Sequence, residues 1–122
     1  MKRSFQVILS LIAFFGIMLI MNKVRYRYDW ENAFWRTIMT PMTGTIWAKD
    51  FSEAGFAKIT YGMSSAEVRS LVGEPLNREC DKDGCGWSYS DQDSDTADSD
   101  RRWVRFDAKD RVDYIWHEFH ID

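Results

Sequence analysis

The feature that most constrains this chain is an unbroken apolar run near its start, FQVILSLIAFFGIMLIM from Phe5 to Met21, in which only Gln6 and Ser10 are polar and nothing is charged. As a helix rising about 1.5 Å per residue it just reaches the lower end of a bilayer span. A secretory leader also opens on basic residues such as Lys2 and Arg3, but its apolar core is shorter and a small-x-small cleavage site follows. Here the chain continues Met21-Asn22-Lys23-Val24-Arg25. Lipoprotein processing would need a cysteine directly after the run, and the two cysteines are Cys80 and Cys85. The expectation is therefore a retained, single-pass anchor over residues 1–22. Its orientation is not fixed by charge, because Lys2 and Arg3 on one side face Lys23, Arg25 and Arg27 on the other.

The net charge of −3 conceals an asymmetry: residues 1–50 carry seven basic and three acidic side chains, residues 51–122 nine and sixteen. The basic half suits anionic headgroups near an anchor. The acidic half lacks the basic face that phosphate neutralisation requires, which argues against nucleic acid as a partner.

Residues 23–50 read as an aromatic, basic juxtamembrane segment and linker. Tyr26, Tyr28, Trp30, Phe34, Trp35 and Trp47 crowd a stretch that also holds Lys23, Arg25, Arg27 and Arg36, the composition of a headgroup layer. Trp30, Phe34 and Ile38 recur at helical spacing, so they share a face that either rests on the membrane interface or packs on the following domain. Thr40-Pro41 ends that helix, and Thr43-Gly44-Thr45 reads as linker.

Residues 51–122 have the pattern of one small α+β domain. Ser52 is placed to cap a short helix, with Phe51 and Phe56 at the positions of a hydrophobic staple. Ser64 and Glu67 form an S-x-x-E capping box for a second helix, whose Val68, Leu71 and Val72 give a buried stripe. Gly73 is expected to end that helix in the left-handed region, and Pro75 forbids its continuation. Beyond Pro75 the period falls to two. Trp87 and Tyr89 share one face of a strand, Val104 and Phe106 one face of another, and Val112 to Ile121 form a third. In that last strand Val112, Tyr114 and Trp116 fall on one side and Ile115, Phe119 and Ile121 on the other. Residues 107–111 are short enough for a hairpin, and Asp91 to Asp100 reads as a longer polar loop. The expected fold is two short helices packed on one face of a three-stranded antiparallel sheet, in the order ααβββ, preceded by a transmembrane helix.

The run Phe56-x-x-Ile59-x-x-Gly62-Met63-Ser64-x-x-Glu67-Val68-x-x-Leu71-x-Gly73-x-Pro75-Leu76 resembles the signature of the SmpA/OmlA (BamE-like) domain family. Trp87-x-Tyr89-Ser90, Val104-x-Phe106-Asp107 and the hairpin to Val112 follow in that family's order, so the resemblance covers roughly Phe51 to Ile121. It implies a small ααβββ domain, usually of the bacterial envelope, that works by holding partner proteins and sometimes lipids, and it does not imply catalysis. The chain departs from the family in having no lipidation cysteine, an anchor helix, an Asp-rich loop and a cysteine pair.

Cys80 and Cys85 flank Asp81-Lys82-Asp83-Gly84, whose Asp-Gly step favours a tight turn that could bring the two sulfurs together. The spacing is not that of redox catalysts, and a metal site would want two further ligands. In an oxidising compartment a structural disulfide is expected. Asp91, Asp93, Asp95, Asp98 and Asp100 begin like a calcium loop, but Thr96 stands where such a loop has glycine and Arg102 where it has a bidentate glutamate. No metal is favoured, and calcium is the only cofactor the pattern suggests. His117 and His120 fall on opposite faces of a strand and cannot share a metal. No serine or cysteine has the setting of a nucleophile, so the reading is non-catalytic.

The leading expectation is a membrane-tethered protein-binding or scaffolding module of the bacterial inner membrane with its domain in the periplasm, linked through the family resemblance to envelope or outer-membrane protein assembly. Trp103, Tyr114, Trp116 and Phe119 are the candidate partner contacts, since aromatics dominate interface energetics. Trp103 and His117 are expected to be the more exposed. Two alternatives stand beside it: a calcium-responsive module acting through Asp91 to Asp100, and an accessory subunit of a membrane complex held mainly by its anchor.

Overall fold

The computed structural model describes residues 1–121, which form two compact units, 1–41 and 42–121. In the first, the apolar run continues past its expected end as one 25-residue helix, α1 (Lys2–Tyr26), long and apolar enough to span a membrane. Lys23 and Arg25 in its last turn complement the helix dipole. Arg27 stops it in the left-handed region, at φ 55°. Two residues later Asp29 accepts the Asn32 amide at 2.8 Å and caps α2 (Trp30–Met39), which gives way to a tight helical turn over Thr40–Met42 at the expected proline.

The second unit is α+β, with more strands than the sequence pattern indicated. A four-stranded antiparallel sheet has the order β2-β3-β5-β6, from β2 (Asn77–Asp81), β3 (Gly84–Ser88), β5 (Asp98–Asp107) and β6 (Val112–Ile121). A second, two-stranded ladder pairs β1 (Thr45–Trp47) with β4 (Ser90–Gln92). The expected three strands correspond to β3, β5 and β6. The sequence Asn-Arg-Glu-Cys-Asp of β2 is exposed throughout and has no apolar alternation to betray it. β1 and β4 are three residues each, too short for any period to register.

Residues 43–45, expected as linker, are held in this unit: Gly44 donates to the Asp98 carbonyl at 3.1 Å and accepts from the Asp93 amide at 3.2 Å. The polar loop after Ser90 is correspondingly shorter than expected, because Asp91 belongs to β4 while Asp98 and Asp100 belong to β5.

Both capped helices form as their sequences require. Ser52 Oγ accepts the Gly55 amide at 3.0 Å at the start of α3 (Glu53–Phe56), and the Phe51 and Phe56 rings lie 5.8 Å apart. Ser64 and Glu67 exchange the two bonds of the capping box, 3.2 and 2.7 Å, at the start of α4 (Ser65–Val72). Gly73 does end α4, but at φ 75° and ψ −159° rather than in the left-handed helical region. Only glycine adopts that backbone at low cost. Gly55 meets a second constraint: a Cβ there would lie 2.3 Å from the Leu71 carbonyl oxygen, so its lack of a side chain sets how closely α3 approaches α4.

Phe56, Val68 and Val72 from the helices pack with Trp87, Val104, Phe106 and Val112 from the sheet into one core. Full burial of each large apolar side chain there contributes about 1.5–3 kcal/mol. The helices therefore cover one sheet face, as expected. The strand alternation differs at one point, where the register of β5 and β6 shifts between Arg105 and Phe106. That bulge adds a residue on β6, so Val112 turns into the core beside Phe106 while Tyr114 and Trp116 point the other way.

Candidate partner-binding face

The helices leave the opposite face of the sheet uncovered, and its contour follows from residue size. Gly84, Gly86 and Ser88 alternate along β3 on that face and leave it almost without side chains. On β5 their neighbours are Arg105 and Trp103, and the next row on β6 holds Tyr114 and Trp116. A low floor beside a high aromatic wall makes an open groove of about 940 Å³, bounded on its far side by Glu79 and Asp81 of β2.

The wall is internally braced. The Trp103 and Trp116 rings meet edge to face at 5.8 Å, and Tyr114 lies 3.9 Å from Trp116. The Arg101 guanidinium sits 4.8 Å over Trp103. Tyr114 is exposed, and both tryptophans are partly so.

The charges are unequal. Glu79, Asp81, Asp83 and Asp91 line the groove against Arg78 and Arg105. Arg105 is held by Asp113 through a two-pronged bond, Nε to Oδ1 at 3.0 Å and Nη2 to Oδ2 at 2.7 Å. That bond raises the guanidinium pKa and holds the Asp113 carboxyl below its usual range. Arg78 pairs with Glu74. With these two cations engaged, and Arg101 over the wall paired with Glu118 at 3.8 Å, the groove presents a net acidic rim around an aromatic wall.

Three of the four residues expected at a partner surface, Trp103, Tyr114 and Trp116, are thus brought together. Phe119 is not among them. It is 6% exposed on the helix-covered side, opposite Asp100, because an odd separation from Trp116 reverses its direction. His117, also expected at the surface, lies on the covered side, where it stacks on Phe56 at 6.0 Å and approaches Glu53 at 3.5 Å. His117 and His120 do fall on opposite faces.

Cys80 and Cys85 form a disulfide across directly paired positions of β2 and β3, at a Cα separation of 4.0 Å. The five aspartates of the calcium pattern do not converge. Asp98 and Asp100 are fully buried in β5, whereas Asp91 and Asp95 are exposed. Among the described residues no group of three or more His, Cys, Asp or Glu side chains is placed to hold a metal ion.

Under α3 lies a polar cluster that the sequence did not reveal. Arg102 is fully buried, with Nε 3.1 and 3.2 Å from the Glu53 carboxylate oxygens and Nη2 2.9 Å from Oε1. Its Nη1 donates to the Arg101 carbonyl at 2.7 Å, and its amide donates to Ser90 Oγ at 2.9 Å. Asp100 bonds the Thr45 hydroxyl at 2.9 Å. Both carboxylate oxygens of Asp98 are buried without a hydrogen-bond partner among the described residues. The ion pair ties α3 to the middle of the sheet, a structural task. Its one advance signal is the apolar alternation of β5 carried back two residues from Val104, which puts Arg102 on the inward side.

No protein-family model matches this chain, and no curated protein matches its sequence.

Proposed function

We propose that this protein is a non-catalytic, membrane-held binding module, and that the uncovered sheet face receives a segment of a partner protein carrying Lys or Arg beside apolar residues. The observation that carries this reading is the aromatic wall of Trp103, Tyr114 and Trp116 beside a glycine floor with an acidic rim. Tryptophan and tyrosine anchor interfaces because they bury large rigid surfaces, and an acidic rim selects and orients a basic segment. α1 supplies the membrane attachment. The resemblance of residues 51–121 to SmpA/OmlA domains supports a place in the bacterial envelope and a role in envelope or outer-membrane protein assembly. The disulfide supports an oxidising compartment, hence an inner-membrane anchor with a periplasmic domain.

A photo-reactive amino acid placed at Ser88 in the groove floor of the full chain, in intact membranes, is expected to cross-link a discrete partner that high salt reduces. The same group at Lys109, in the exposed turn between β5 and β6, is the control. Equal yields from both positions, or none from Ser88, would remove the assignment of this face.

A further inference from the structure

We infer that α2 is a second membrane element, an interfacial helix whose Trp30, Phe34, Trp35 and Ile38 enter the headgroup layer of an anionic bilayer beside α1. The inference rests on reading α1 as the span.

α2 does not lead away from α1. After the left-handed stop at Arg27 it folds back, and the two are joined by a closed polar network: Asn22 Nδ2 donates to Thr37 Oγ1 at 3.0 Å, Arg36 Nη1 donates to Asn22 Oδ1 at 3.3 Å, and Thr37 Oγ1 donates to the Ala33 carbonyl at 2.7 Å. Asn22 is 5% exposed, and Ala33 is fully buried. The polar side chain at the end of the apolar run is thereby satisfied inside the pair, as a group at the edge of hydrocarbon must be.

The other side of α2 is mainly apolar and exposed, with Glu31 of its first turn the one charged side chain among the aromatics. Trp30 is 60% exposed, and Phe34, Trp35 and Ile38 are each above 40%. This surface is continuous with that of α1, since Phe34 meets Phe15 edge to face at 6.0 Å and Phe15 lies well inside the apolar run. The Phe34 side chain therefore bridges the headgroup layer and the outer acyl chains on the side of α1 that Phe15 occupies. A span of only Phe5 to Met21 is short for a hydrocarbon core of about 30 Å, and α2 adds apolar surface beside the turns where α1 runs out.

The charges fit an anionic surface at that depth. Residues 23–39 hold Lys23, Arg25, Arg27 and Arg36 against Asp29 and Glu31. Three of these cations sit on the aromatic belt, Lys23 4.8 Å over Trp30, and Arg25 and Arg36 5.4 and 3.8 Å from the Tyr26 ring. Basic side chains beside Trp and Tyr at a helix end are what headgroup phosphates attract.

The test uses the full chain in phosphatidylcholine vesicles with and without phosphatidylglycerol. Single cysteines replace Ile12, Phe34 or Lys109 and carry an environment-sensitive fluorophore, the native pair being closed as a disulfide. The Ile12 site is expected to be quenched by nitroxides deep in the acyl chains and the Lys109 site only by aqueous iodide. The Phe34 site is expected to be quenched by nitroxides near the headgroups, with iodide quenching several-fold below that of Lys109 and lower again with phosphatidylglycerol. A Phe34 site as open to iodide as Lys109, while Ile12 stays shielded, would overturn the inference and leave the anchor standing. A Phe34 site shielded from iodide and lipid nitroxides alike would mean protein covers α2, and would also overturn it. Iodide access at Ile12 would defeat the anchor itself. Equal behaviour in the two lipids would overturn the assignment of an anionic surface.

Discussion

Arg102 is fully buried, and its Nε and Nη2 are held by Glu53 at 2.9–3.2 Å. A charge so placed is tolerable only while paired, and removing one partner costs far more than the pair is worth. Glu53→Ala is expected to destabilise the protein by about 3 kcal/mol in urea unfolding. Joint replacement of Glu53 and Arg102 by Leu and Met should recover most of that loss. Tyr89 offers a test by pH. Its hydroxyl donates to the Gly73 carbonyl at 2.9 Å, and burial pushes the phenol up to about 12, with Arg69 and Arg78 acting in the opposite sense. Above pH 10 the unfolded chain releases this proton while the folded chain keeps it, so stability falls as pH rises from about 10 to about 12. Tyr89→Phe should flatten that fall in thermal melts across the same range, at a cost of about 1 kcal/mol near neutrality for the lost hydrogen bond. At this scale the sequence is most legible where chemistry is local, as at Ser52, Ser64 and Glu67. The burial of Arg102 is not legible there, because a charged side chain is ordinarily a solvated one and its partner lies 49 positions away.

Among the elements, the helices announce themselves through caps and staples, signals contained within a few residues. Strand β2 has no such signal: it is an exposed polar edge strand, held by its ladder to β3 and by the Cys80–Cys85 bridge. A bridge closing so short a loop restricts the unfolded chain little, so Cys80→Ser is expected to cost only about 2 kcal/mol in the chain-entropy account. The domain should stay folded by circular dichroism, whereas complete unfolding would show that β2 depends on the bridge. The bulge between Arg105 and Phe106 was equally hidden. A period-two reading carries one phase along a strand, and a bulge resets it. By period two Val112 falls with Tyr114 and Trp116, but the bulge turns it into the core. The candidate site was legible in its wall, because Trp103, Tyr114 and Trp116 are conspicuous. Its floor depends on pairing Gly84 and Gly86 with β5, which no local pattern discloses.

As a whole molecule the chain joins two units of opposite character. One carries an apolar helix able to cross a membrane, and the other is an acidic α+β domain with one sheet face left open. A domain this small has strong reason to bury aromatic side chains, and the exposed Tyr114 with the half-buried Trp103 and Trp116 beside a glycine floor is the feature on which the proposed docking rests. The most direct measurement is capture of the cross-linked partner by the full-length chain against a Trp103→Ala/Trp116→Ala variant, with circular dichroism and disulfide state checked for both. The open-face account predicts that the variant stays folded in the membrane and loses the partner by at least about tenfold, the effect of removing two aromatic anchors. Undiminished capture by a folded variant would contradict it.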